Sequence, residues 1–317
     1  MRLSIAAAGI EGGIVRLPAP YAITIALAAL LMALVSSQIR RPKGARGLRA
    51  IAVLALVALT IPRFCPAARY VQLDVGQGDA AILRSGRSAV LVDVGPRGSY
   101  AALRYLRREG LRVELAFLSH LDEDHAGALA TLLSSEVQIG ALALPEGAQE
   151  DAASQAVLDT MALARERGIP IRYLSRGDSV SAMGVRFDVL SPAQELSGSN
   201  ERSLLLSAEI EGVSFLLTGD LPASSEPEVL PDCDVLKVAH HGSRYATSES
   251  LLAQVSPQVA LISVGARNSY GHPADRVLEA LAQAGAAVYR TDESGCVTLW
   301  LRKGSWRAQT FLTPGAS

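Results

Sequence analysis

The chain has 317 residues, 49% of them hydrophobic, with five histidines, three cysteines and a formal net charge of -1. That length allows one large domain or two ordinary ones around a real core. Cys65, Cys233 and Cys296 have no short paired spacing, which supports neither a zinc ribbon nor a disulfide framework.

The near-zero charge conceals two unlike parts. Residues 1–65 carry eight cations against the single acid Glu11, whereas the rest of the chain carries 22 basic and 30 acidic side chains, a balance of -8. No charged residue occurs between Arg16 and Arg40, and Tyr21 to Ile39 is apolar on every helical face. That run has the length needed to cross a hydrocarbon core. A second, shorter apolar run covers Ala50 to Pro62. Together they predict a transmembrane helical hairpin over residues 1–65, with spans at 20–39 and 49–63. The loop 40–49, RRPKGARGLR, holds five cations and no acid, so the positive-inside rule keeps it cytoplasmic and sends residues 66–317 to the extracytoplasmic side of the cell membrane. A cleavable signal peptide starts earlier and is not followed by a second span.

From Arg69 the texture changes to short strand-like runs: YVQLD, DAAILR, SAVLVDVG and, after a helical stretch at 98–110, VELAFLSH. A helix is expected at 151–167, and strands at 170–174 and 184–190. SLLLSAEI and VSFLLTGD read as a hairpin turning at Glu211-Gly212. CDVLKVAHHGS, a helix near 247–255, VALISVG, a helix at 273–285 and the strands AAVYR, CVTLWL and WRAQTF close the chain. Runs of strands with helices between them predict an α/β fold of two sheets covered by helices, an αββα sandwich. Cys233 and Cys296 sit in or beside apolar runs, as small core residues do.

Every polar constellation follows the end of a strand, where sites collect in layered α/β folds. The first is FLSHLDEDHAGA, Phe117 to Ala128. Carboxylates this crowded repel one another unless a cation stands between them. His120 and Asp122, two residues apart, suit one ion; Asp124 and His125 suit a second, with Asp220 and one of His240 and His241 completing the set. Two divalent ions close together can hold both the attacking and the leaving oxygen of a displacement. His240 directly follows its strand, which favours it over His241 as a ligand. Asp74, Gln77 and Asp79 read equally as turn chemistry and as support for the ligands. Asp93, in LVDVG, reads as a structural residue orienting the metal loop.

The pattern H-x-D-x-D-H after a strand, a Gly-Asp after a later strand and a His after another resembles the metallo-β-lactamase superfamily, whose first motif is usually H-x-H-x-D-H. LDVGQGDAAIL (Leu73 to Leu83), LLTGDL (Leu216 to Leu221), LKVAHHGS (Leu236 to Ser243) and NSYGHP (Asn268 to Pro273) narrow the resemblance to the C-terminal domain of ComEC-type DNA-internalisation competence proteins. It covers about residues 66–312, and the hairpin before it resembles the last membrane helices of that family's channel. The resemblance implies a membrane-anchored hydrolase cutting DNA, in its single-stranded form, with one or two divalent ions. It implies His120, Asp122, Asp124, His125, Asp220 and His240 as ligands, His241 and Ser243 facing substrate, and His272, with Asn268 in the same loop, acting at the scissile phosphate. There are departures. Asp122 replaces a usual histidine, and no histidine lies between 125 and 240. Asn200, with Ser203 nearby, falls where that histidine would be. A shell richer in oxygen shifts preference from zinc toward manganese.

Two other functions fit the same sequence: a module of the uptake channel that guides DNA without cutting it, and a hydrolase of the same fold acting on another ester. A hairpin of two helices cannot line a pore, so a DNA channel would need further helices as partners.

Overall fold

The computed structural model describes residues 4–6, 14–16, 68–151, 154–193 and 196–312. The spans expected at 20–39 and 49–63, the loop between them and Cys65 lie outside the described residues. Among the described residues no helix is long and apolar enough to cross a membrane. Near the N-terminus, β1 (Ser4–Ala6) and β2 (Ile14–Arg16) pair antiparallel.

The expected two-sheet sandwich is borne out. Its first half supplies β3 (Ala68–Gln72), β4 (Ala80–Ser85), β5 (Ser88–Val94), β6 (Arg112–Phe117), β7 (Leu142–Pro145) and β8 (Ile171–Leu174). The second half supplies β9 (Ser179–Ala182), β10 (Val185–Ser191), β11 (Leu205–Ile210), β12 (Val213–Leu217), β13 (Val235–Lys237), β14 (Val259–Ile262) and β15 (Ala287–Arg290). The chain then returns to the first sheet with β16 (Val297–Arg302) and β17 (Ser305–Thr310). The sheet orders are β17-β16-β3-β4-β5-β6-β7-β8 and β15-β14-β13-β12-β11-β10-β9. In each sheet the strands that carry site residues at their ends, β5 and β6 in one and β12, β13 and β14 in the other, run parallel.

Alternation in the strands explains why the sheets stack. The inward residues Tyr70, Leu83, Val90 and Phe117 of one sheet meet Phe187, Leu206, Phe215 and Val235 of the other in one buried cluster. Tyr70 lies against Phe215 with ring centroids 5.3 Å apart, and Phe117 against Phe187 at 5.0 Å. The opposite face of the second sheet, including Leu216, Leu236 and Ile262, is covered by Leu251, Leu252 and Val255 of the helix Glu249–Val255 and by Val277 and Leu281 of the helix Asp275–Gln283. Cys233 belongs to this layer, as its apolar context predicted. The hairpin between β11 and β12 turns at Glu211 and Gly212, with φ of 54° and 77°, the pair of left-handed residues that a two-residue turn of this twist needs.

Within the sandwich, two strands are not anticipated from the sequence, and neither is the β1–β2 pair before it. β7, LALP, is four buried residues between β6 and β8, too short for a period to register. β9, SVSA, is a weakly apolar edge strand.

Candidate metal centre

β5 and β6 of one sheet and β12, β13 and β14 of the other end at the same rim, and the five histidines collect there. His125 lies at the centre, its ring 4.1 Å from that of His120 and 5.4 Å from that of His241. Both its nitrogens face carboxylates: Nδ1 is 2.8 Å from Asp93 Oδ2 and Nε2 is 3.2 Å from Asp220 Oδ1. Asp93 also accepts from the Ser119 amide at 2.7 Å and the Ser119 hydroxyl at 2.8 Å. An imidazole whose Nδ1–H is held by a carboxylate keeps the Nε2 lone pair for a cation.

His241 is oriented the same way by a different acceptor. Its Nδ1 sits 2.8 Å from the Ser263 carbonyl, and its Nε2 faces Asp124 Oδ2 at 3.2 Å and Asp220 Oδ2 at 3.7 Å. His240 and His241 both adopt left-handed backbone angles, φ 51° and 54°. This sharp turn after β13 carries the second imidazole inward. The sequence reading preferred His240 as the ligand; instead His241 enters the cluster, while His240 stays at the cavity wall with Nε2 3.8 Å from Asp220. His120 Nε2 is 3.7 Å from Asp122 Oδ2, and Ser199 donates to Asp122 Oδ1 at 2.6 Å.

The loop Asp74–Asp79 closes the floor. The Asp79 amide donates to the Asp124 carbonyl at 3.1 Å. Gly78, at φ +135°, allows this, because a Cβ there would collide with that same carbonyl. Asp79 is buried and ion-paired with Lys237, and Gln72 Nε2 donates to its other oxygen at 3.2 Å. Lys237 was not singled out in the sequence. It is the last residue of β13 and is only 4% exposed.

Several predicted residues have other duties. Asp74 Oδ1 accepts from the Gly76 amide at 3.1 Å and is a turn residue. Ser203 is fully buried, and its hydroxyl accepts from the Asp220 amide at 3.2 Å, so it positions Asp220 and does not face a ligand. Ser243 is buried in the turn after His241, its oxygen 3.4 Å from the Tyr245 amide. Asn268 uses its whole amide inside its loop: it donates to the carbonyls of Gly265 and His272, at 3.0 and 2.7 Å, and accepts from the amides of Tyr270 and His272. It is a loop staple rather than a substrate contact. Gln77 accepts from Gly265 at 3.2 Å and reaches the cavity. The cavity, about 440 Å³, is also lined by Asp122, Asp124, Asn200, Asp220, His240 and His272.

The donor set fits a divalent cation. His120 Nε2 and Asn200 Oδ1 are buried without a hydrogen-bonding partner, and His125 Nε2 and Asp220 Oδ1 have only each other, at 3.2 Å, a costly state for polar atoms unless something binds them. Ligand atoms of His125, Asp220 and His241 with Asp79, and of His120, Asp124 and His125, lie within 4.8 Å of one another. The electrostatics agree. Burial opposes the charge on Asp220, yet His125 and His241 hold its carboxyl well below the usual range. Asp124, despite burial, is lowered to about 2, chiefly by its hydrogen bond with His241. Burial and the charge of His125 push His120 below the ordinary imidazole value. Asp79 is the exception: Lys237 already neutralises it, so it serves as support beneath the centre.

A strand-end cluster of this composition coincides with a family match: the model described as "Metallo-beta-lactamase superfamily" matches residues 73–266. The chain belongs to the metallo-beta-lactamase superfamily. Within it, the chain is 34% identical over 251 residues to ComE operon protein 3 of Bacillus subtilis, covering 71% of this chain and 32% of that protein. It is 28% identical over 316 residues to Competence protein ComA of Neisseria gonorrhoeae, covering 94% of this chain and 41% of that one. The motif-level resemblance to ComEC-type competence proteins is thus borne out, and the chain spans 32% and 41% of the length of these two relatives. Among solved structures, CmlA, a diiron beta-hydroxylase from Streptomyces venezuelae, shares the superfamily fold with a TM-score of 0.51 and 12% identity, covering 78% of this chain and 55% of that one.

Proposed function

We propose that this superfamily member is a divalent-metal-dependent phosphodiesterase that hydrolyses DNA during competence-type uptake, anchored by residues 1–65 with its hydrolase domain outside the cell membrane. The observation that carries the reading is the cluster of buried His120, His125 and Asp220 ligand atoms beside an acidic cavity lined by Asn200 and Asp220, with His120 Nε2 and Asn200 Oδ1 lacking any hydrogen-bonding partner. Asp124, His125, Asp220 and His241 would hold one ion; His120, Asp122 and Asn200, sharing Asp220, would hold a second. The abundance of oxygen ligands favours manganese over zinc. When bound, such ions supply Lewis acidity that offsets charge on a phosphoryl oxygen.

The chain's own residues do the remaining work. Asp93 and Ser263 fix the tautomers of His125 and His241. His240 and His272 face each other across the cavity wall, ring centroids 5.6 Å apart. Burial and the neighbouring His240 and His241 keep His272 below the ordinary imidazole value. Neutral at pH 7, it can hydrogen-bond a phosphate oxygen or relay a proton to the leaving oxygen. The balance of -8 outside residues 1–65 disfavours general affinity for a phosphate backbone, so binding would centre on the metal cavity.

The competence name of a relative supports DNA as the substrate. The test is direct: with manganese, the purified full chain should degrade a single-stranded oligodeoxynucleotide and Asp124→Ala should not. DNA left intact by both proteins would contradict the reading. Stoichiometric metal lost on His125→Ala would separate it from a non-catalytic DNA-guiding module, and a panel of other esters from a different hydrolase.

A further inference from the structure

One group at the cavity has no part in metal binding. Tyr270 lines the cavity, is 67% exposed and stacks on His272 with centroids 5.8 Å apart and planes 26° apart. His272 in turn lies nearly parallel to His241, at 29° and 6.3 Å. The three rings follow one another pairwise from the metal cluster out to an exposed tyrosine.

The loop that presents this face is held, not loose. Asn268 ties four backbone groups between Gly265 and His272. Gly271, at φ +69°, makes the turn between the two rings. A large aromatic so exposed gains little from the core, so stability alone gives no reason to preorganise it. Arg244, exposed, follows the His240–Ser243 turn in the chain. Aromatic faces beside cationic side chains are the elements by which proteins hold single-stranded nucleic acids, since every base has a π-face and an unpaired base is free to stack.

We propose that Tyr270, backed by His272, is a stacking platform for an unpaired base of the strand held at this cavity, so that the site takes nucleic acid in single-stranded form. The proposal rests on the phosphodiesterase reading for its substrate and adds the residue that selects the strand's form. A base resting on Tyr270 would add one ring to this series and set its phosphate's distance from the metal cluster. A paired base cannot offer that face without leaving its duplex.

The test compares two fluorescent single strands of equal length, an oligodeoxythymidylate and its abasic analogue, binding the full chain in calcium, followed by anisotropy. The wild type should bind the base-carrying strand about tenfold more tightly. Tyr270→Ala should bring the two affinities together, Tyr270→Trp should keep them apart, and Tyr245→Ala, exposed but not lining the cavity, should behave as wild type. Equal discrimination by Tyr270→Ala and wild type would overturn the platform. In manganese, if the wild type hydrolyses neither strand, the phosphodiesterase reading fails, and the binding ratio still decides the platform.

Discussion

Asp93 accepts from His125 at 2.8 Å while holding a left-handed backbone, φ 59°, that few residues other than glycine adopt. Such strain persists where the surroundings enforce it, and here the enforcing groups are the Ser119 amide and hydroxyl that grip the same carboxylate. Burial opposes the charge of Asp93, but His125 brings its carboxyl below the ordinary value.

Asp93→Asn should therefore let the His125 ring change tautomer or turn, weakening metal affinity by about 10- to 100-fold. Titration of the metal-free protein with manganese, followed by calorimetry, would show it. An unchanged affinity would make Asp93 a packing residue only.

The pair Asp79 and Lys237 makes a second expectation. Removing one partner of a buried ion pair leaves an uncompensated charge, which costs about 3–5 kcal/mol. Lys237→Met should thus lower stability strongly, and adding Asp79→Asn should restore part of the loss. Chemical denaturation of the single and double variants gives the coupling energy; simple additivity would contradict the pairing.

Gly78→Ala attacks the floor of the site. The positive φ alone costs about 1–3 kcal/mol, and the new Cβ would displace the Asp124 carbonyl. Stability and metal content should fall together. Retained metal content would show that the Asp79–Asp124 backbone bond is dispensable.

The metal-free protein should have a marked pH profile. Burial opposes the charge on His125 and His241, but Asp220 and its neighbours raise both above the usual imidazole range. A raised imidazole contributes stability that is fully present below its unfolded value, about 6.5, and lost as pH rises through the folded value. His120 and His272, both lowered, act in the opposite sense, but His125 is raised well above its ordinary value and His241 adds to it. Asp124 and Asp220, lowered, contribute stability present above about 3.9 and lost as pH falls toward the folded values. In EDTA the Tm should hold near pH 5 to 6 and decline through the alkaline range. Saturating manganese should abolish the alkaline decline, because ligated imidazoles are already neutral. A Tm that climbs with pH in EDTA would contradict these charges.

Much of this was legible in the residue order. Strands with clear alternation, such as β11 and β12, and the acidic loop after β6 declare themselves through period and crowding. What stayed hidden depends on backbone geometry. Adjacent His240 and His241 are indistinguishable in one dimension; two successive left-handed residues decide which ring turns inward. Lys237 and Asp79 lie far apart in the chain and reveal themselves as a pair only when β13 and the loop before β4 come together. Asn268, Ser203 and Ser243 share the polarity of substrate contacts, and only their hydrogen bonds show that they hold loops. β7 and β9 are too short for a pattern to form.

The most direct test is the metal content of the full chain after dialysis against manganese, compared with Asp220→Ala, in which the shared carboxylate is gone. We expect at least one manganese per wild-type chain and a substoichiometric amount in the variant. A wild type that emerges without metal, or a variant that retains as much, would contradict a metal centre built from these strand ends.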